Sequence, residues 1–365
     1  MNARKQLIFP NGMVMRNRLI LAPMTTYSSN KDLTLSDEEE VYYNSRSKDI
    51  GMVITAAVAV SKNAQAFEHQ ISIKDDTYIP SMKRLASTIK KEGALAVVQL
   101  HHGGRMNAPN LYKNQDIVGP SAIKANRDYC VTPRELQNIE IYNIIDDFVA
   151  ATKRAILSGF DGIELHGANT YLLQQFFSPH SNQRTDEFGG DLNKRMEFAK
   201  KLVEGVIQLK VEMNVPNFIV GYRLSPEEVE TPGITLEDSV ALIKMLSSYK
   251  LDYIHLSTSK YYQSSMRNEK DDQPIVEMLK NAISNNVPLI GVGGIKNSND
   301  IEQALAIGYD CVALGSITLG DVHAAKKLLE NKNIDKVVNA DSLLPKPLYN
   351  RIKAWFVNSS EFTVE

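Results

Sequence analysis

Short apolar runs recur along the chain at Arg18 to Ala22, Met52 to Val58, Ala94 to Leu100, Gly162 to Leu165, Phe218 to Tyr222, Tyr253 to Leu256, Leu289 to Val292 and Cys311 to Leu314. Their length and alternation predict strands. Between them, helical periodicity marks Glu38 to Ser47, Ser81 to Lys91, Ile141 to Leu157, Arg195 to Val211, Leu236 to Ser248 and Asp300 to Ile307. Strand and helix alternate throughout, as parallel strands joined by crossovers require. No linker rich in Pro, Gly or Ser separates two halves, so the pattern predicts an α/β fold, a single closed (β/α)8 TIM barrel, over a doubly wound sheet. Residues 1–335 are assigned to the barrel and 336–365 to a C-terminal tail that packs on it or on a neighbouring subunit. The stretch from His101 to Gln137, with Pro109, Pro120 and Pro133, is longer than a connector needs and is expected to fold over the barrel mouth, with a plain surface excursion as the alternative.

Composition narrows the function by exclusion. With 41 basic against 43 acidic residues, dispersed along the chain, there is no footprint of a nucleic-acid binder. The two cysteines, Cys130 and Cys311, are too few for a disulfide framework or a four-cysteine cluster, and no metal site is expected. The longest apolar run, near Met52 to Val60, is too short to span a bilayer, and no leader pattern opens the chain. A soluble, cytoplasmic protein is expected, with a homo-oligomer as one possible state.

In such barrels the active site lies in the loops after the carboxyl ends of the strands. His166, Asn169 and Tyr171 fall there, past strand four. A His and an Asn three apart can both aim N–H groups at one oxygen, and the Tyr adds a weakly acidic hydroxyl. Two donors and an acid suit a polarised carbonyl, although a satisfied loop histidine beside a packed tyrosine has the same sequence. Gly291-Val292-Gly293-Gly294 after strand seven and Gly315-Ser316 after strand eight have the pairing expected for a mononucleotide phosphate. Two tight turns without a ligand are the alternative.

The segments Ala22-Pro23-Met24-Thr25-Thr26-Tyr27, Gln99-Leu100-His101-His102-Gly103-Gly104-Arg105, His166 to Tyr171, Ser178-Pro179, Arg184 to Gly190 and Tyr222-Arg223-Leu224-Ser225 decide between these readings. In this order, from about Asn11 to about Gly320, they resemble the old yellow enzyme family of flavin mononucleotide (FMN) oxidoreductases. The resemblance implies FMN held by Pro23, Met24, Thr25, Ala57, Gln99, Arg223, Gly293, Gly294, Gly315 and Ser316. Arg223 would lie beside the pyrimidine ring, Gln99 would bond its edge, and Thr25 would donate to the C4 carbonyl oxygen where some bacterial relatives carry Cys. Tyr27, His166 and Asn169 would bind substrate, and Tyr171 would be the proton donor. NADH or NADPH would reduce the flavin in the same site, so the absence of a Rossmann fingerprint counts for little. The activity implied is reduction of the activated C=C bond of an α,β-unsaturated carbonyl or nitro compound. The alternatives are another FMN barrel dehydrogenase, or a flavin-binding protein with little turnover. The segment Arg184 to Gly190 reads as a network that holds a loop.

One position departs from the family, which usually presents Gly followed by Arg after strand eight where this chain has Ser316. A neutral hydroxyl in place of a bidentate guanidinium lowers phosphate affinity unless a lysine such as Lys296 compensates. The tail carries Tyr349, Arg351, Trp355 and Phe356, which do not align with the family's tail residues and are read as packing or a subunit contact.

Overall fold

The computed structural model describes residues 2–112, 116–249, 251–268, 270–356 and 363–364. Eight parallel strands close into a barrel: β1 (Leu19–Leu21), β2 (Met52–Ala59), β3 (Leu95–His101), β4 (Gly162–Gly167), β5 (Ile219–Leu224), β6 (Tyr253–Leu256), β7 (Leu289–Val292) and β8 (Cys311–Leu314). Neighbours in sequence pair, and β8 returns to β1. Helices α1 (Asp37–Ser47), α2 (Ile79–Lys91), α3 (Asn138–Leu157), α4 (Leu172–Phe177), α5 (Leu192–Glu212), α6 (Leu236–Ser248), α7 (Ile275–Asn281) and α8 (Ser298–Ala306) fill the crossovers. The short α9 (Ile317–Gly320), α10 (Ala324–Leu329) and α11 (Lys346–Phe356) follow β8. The expected fold is therefore present, with strand ends within two residues of the apolar runs.

The strands are almost wholly buried because one face fills the barrel and the other meets the helices. Inside, Met52, Ile54, Val97, Ile219, Tyr253 and Ile290 form a separate apolar cluster. Its amino-terminal end is closed by an antiparallel pair, Leu7–Ile8 with Val14–Met15, which puts Phe9 and Met15 against that cluster. This hairpin is too short for its alternation to be read from sequence. Helix starts are fixed by side-chain caps, as where Ser36 and Glu39 form a capping box on α1 and Asn297 caps α8.

Two excursions reach the carboxyl-terminal mouth. The segment between β3 and α3 pairs Val118–Gly119 with Arg134–Glu135, and its Met106, Ala125 and Cys130 pack together with Tyr171. Buried Arg184 ties this segment down, donating from Nη1 to the carbonyls of Leu136 (2.6 Å) and Pro120 (2.9 Å), which bears out the loop-holding reading. Beyond α10, Val338, Leu348 and Ile352 are buried in the main core, and Arg46 donates to Ser342 O at 2.7 Å. Positions 357–362 and 365 of the tail lie outside the described residues. No helix among the described residues is long and apolar enough to cross a membrane.

Candidate active site

β4 continues through Gly167, so His166 lies in the strand itself, one residue before its end, and opposite Arg223 of β5. Residues two apart on a strand share a face, which places Glu164 beside His166. Gln99 on β3 pairs with Glu164 in register, and Ala57 pairs with Gln99 after a register shift in β2. Glu164 is wholly buried. It accepts from Gln99 Nε2 at 2.7 Å and from His255 Nδ1 at 2.9 Å. Burial raises its pKa, but His255, the Arg223 charge and the Gln99 amide overcome this and hold it below the usual carboxylate range. Burial pushes His255 down. The pair is thus a carboxylate receiving a proton donor from a neutral imidazole. One N–H of the Gln99 amide is committed to Glu164, which leaves its Oε1 and its second N–H for a ligand.

A second chain of hydrogen bonds orients the donors. Arg223 Nη2 donates to Ser257 Oγ at 3.0 Å, and Ser257 Oγ donates to Asn169 Oδ1 at 2.8 Å. The Asn169 carbonyl is therefore occupied and its amide nitrogen is the free donor. The backbone turns sharply here, with positive φ at Asn169 (57°) and Thr170 (66°). Gln174 and Gln175 of α4 hold the turn through the Thr170 N–H (2.8 Å) and C=O (2.7 Å). His166 Nδ1 accepts from the Ala168 N–H at 3.3 Å, and burial keeps the imidazole neutral, with its pKa well below 6.5. Its proton accordingly sits on Nε2.

Tyr171 stands edge-on to His101 (4.3 Å between ring centroids), His166 (5.1 Å) and Phe67 (6.1 Å). Burial raises its pKa above that of an ordinary phenol, and its hydroxyl makes no hydrogen bond among the described residues. His101, pushed down to about 3 by burial, is held through Nδ1 by Gln70 Nε2 at 3.0 Å. Tyr27, half-buried at the mouth, packs on Phe67 at 5.5 Å and carries the Arg351 guanidinium of the same chain over its ring at 3.9 Å.

A cavity of about 490 Å³ opens beside Arg223. Of the positions expected to hold the cofactor, Pro23, Met24, Arg223, Gly293, Gly294, Gly315 and Ser316 line it. Thr25, Ala57 and Gln99 lie outside that lining, Gln99 being linked to the Arg223 side through Glu164. Gly293 is required by its backbone, since φ is 105° and a Cβ would come within 2.6 Å of the Thr258 and Ser259 carbonyls. A Cβ on Gly315 would meet only Met24 Sδ, at 3.9 Å, and so would stand in the cavity. Lys260, Lys296 and Lys336 also line this end, from the segments after β6, β7 and α10.

These residues fit FMN. The cavity has the size of a cofactor site. Arg223 Nε is a buried donor with no partner among the described residues. Lysines cluster at the glycine-rich end, where the phosphate would lie. Sequence reasoning missed Glu164, His101, Ser257, His255, Lys260 and Lys336. Among the described residues, no group of His, Cys, Asp and Glu could hold a metal ion.

Comparison with known proteins gives a match of residues 8–335 to the model of the NADH:flavin oxidoreductase / NADH oxidase family. A probable NADH-dependent flavin oxidoreductase of Bacillus subtilis is 41% identical over 350 residues, 94% of each chain. An NADPH dehydrogenase of Clostridium acetobutylicum is 31% identical, over 88% of this chain and 94% of its own. An NADH:acrylate oxidoreductase of Vibrio harveyi is 36% identical over 97% of this chain, which spans only 36% of that longer protein. Among solved structures, morphinone reductase in complex with tetrahydroNAD superposes with a TM-score of 0.81 at 23% identity, covering 94% of both chains.

Proposed function

The chain belongs to the NADH:flavin oxidoreductase / NADH oxidase family, the old yellow enzymes, as an FMN-dependent NAD(P)H oxidoreductase, and we propose that it reduces the activated C=C bond of α,β-unsaturated carbonyl or nitro compounds. The observation that carries this reading is the set of oriented groups next to Arg223, which lines the cavity although they do not: a neutral His166 with its proton on Nε2, an Asn169 amide turned free by Ser257, and an uncommitted Tyr171 phenol. Bound FMN supplies the centre that takes hydride from the nicotinamide and gives it to the alkene.

The protein's own work follows from the site. Gln99 Oε1 and Arg223 Nε are the acceptor and donor offered to the pyrimidine edge. Pro23, Met24, Thr25 and Ala57 flank the ring, and Gly293, Gly294, Gly315 and Ser316 take the phosphate. Lys260, Lys296 and Lys336 supply there the charge for which the family commonly uses arginine. His166 and Asn169 donate to the carbonyl or nitro oxygen as negative charge builds on it, and being fixed beforehand they need no reorganisation at that moment. Tyr171 then gives its proton to the α-carbon. Tyr27 borders the substrate space. Residues 336–365 act as a tail on the barrel formed by residues 1–335.

Anaerobic reduction by NADH and, separately, NADPH, followed by mixing with 2-cyclohexenone or a nitroalkene, tests the reading. The flavin should bleach and then recover its oxidised spectrum as the alkene is consumed. Recovery with oxygen but with neither alkene would overturn it.

A further inference from the structure

Glu164 has no part in the chemistry above, yet it is a wholly buried carboxylate bonded to one of the two side chains offered to the flavin and close enough to the other to lower its own pKa. Register places it between them, paired with Gln99 on β3 and with Gly221, two residues before Arg223, on β5. We infer that Glu164 sets the reduction potential of the bound flavin: its charge opposes the field of Arg223 and polarises the Gln99 amide, keeping the reduced cofactor a strong hydride donor.

The physical argument is one of sign. Two-electron reduction puts negative charge on the flavin ring, which Arg223 stabilises and Glu164 destabilises. Both charges are buried, where screening by water is weak and a unit charge acts over several ångströms. The carboxylate therefore lowers the potential, slowing reduction by NAD(P)H and favouring delivery of hydride to the alkene.

This rests on the proposed placement of Gln99 and Arg223 at the flavin, and the test separates the two. Glu164→Gln is nearly isosteric. Its Oε1 can accept from Gln99 and its Nε2 can donate to His255 Nδ1, once the His255 proton moves to Nε2, a buried atom with no partner among the described residues. The midpoint potential of the FMN-loaded protein, measured by dye equilibration, should rise in Glu164→Gln by a tenfold or greater change in the reduction equilibrium, about 30 mV for two electrons. Arg223→Gln should lower it, and Glu164→Asp, which keeps the charge, should stay within about threefold of the starting protein. In stopped flow Glu164→Gln should speed flavin reduction and slow reoxidation by the alkene, opposite changes that loss of packing does not produce. If Glu164→Gln does not fold, the Glu164→Gln/Arg223→Gln pair, which leaves neither charge unbalanced, must lie above Arg223→Gln by the same factor. A lowered potential in Arg223→Gln with no rise on removing the Glu164 charge defeats the inference alone. No change in Arg223→Gln defeats the placement on which it rests.

Discussion

Replacing Tyr171 with phenylalanine isolates one atom. The ring is held by edge-on contacts with His101, His166 and Phe67 and by the cluster of Met106, Ala125 and Cys130, all of which phenylalanine preserves. The hydroxyl forms no hydrogen bond among the described residues, so its loss leaves no donor or acceptor stranded, and the folding free energy should change by less than about 0.5 kcal/mol. Burial raises the phenol's pKa above its ordinary value, so at neutral pH the group is a protonated acid beside the neutral donor His166. General acids of this kind contribute about 10²- to 10⁴-fold. Single-turnover mixing of the reduced variant with 2-cyclohexenone should therefore slow by that factor, while reduction of its flavin by NADH or NADPH stays within about threefold of the starting protein. The solvent isotope effect on the alkene step should also change, because the proton must now come from water. Equal losses in both half-reactions, or undiminished enone reduction, would refute the assignment.

Three further outcomes follow from the same geometry. Ser257→Ala strands the Asn169 carbonyl and removes one bond to Arg223; steady-state enone reduction should fall about 10- to 100-fold, the equivalent of one hydrogen bond to a charged group, and a fall of less than twofold would remove Ser257 from the orienting chain. Ser316→Arg places a guanidinium at the lysine-lined end of the cavity, so titration of apoprotein should show FMN binding tightened by about 1–3 kcal/mol with riboflavin unaffected; equal gains for both ligands would argue against a phosphate there. His101 and His102 are each pushed down to about 3 by burial, so below the unfolded value of 6.5 the unfolded chain binds more protons. Their contribution is thus greatest above pH 6.5 and is lost as pH falls from 6.5 toward about 3. Urea unfolding should show stability falling by about 1 kcal/mol per histidine between pH 6.5 and 5.5 and by about 1.3 kcal/mol per histidine between pH 5.5 and 4.5, and His102→Gln should flatten that slope.

Much of the architecture was legible because a barrel writes each strand as an apolar run and each crossover as a helical period. Tyr253–Leu256, Leu289–Val292 and Cys311–Leu314 have the bounds their apolar runs suggest. The hairpin at Leu7–Ile8 and the short helices α4 and α7 were not legible, since two to seven residues hold too little period to read. His166, Asn169 and Tyr171 could be singled out because they lie within six residues at the end of one strand and the start of the segment after it. The groups that hold the site came from elsewhere: Ser257, from the loop after β6, holds Asn169; Gln70, from beyond β2, holds His101; and Arg351, from the tail, covers Tyr27. Lys336 reaches the cavity only because the chain folds back after α10. Glu164 shows the limit most clearly. Alternation along Gly162 to Leu165 establishes that Glu164 and His166 share a face, but the same alternation describes a strand with one face in water. Only closure of the barrel turned that face inward, and so put a charged carboxylate between Gln99 and Arg223 where water cannot screen it.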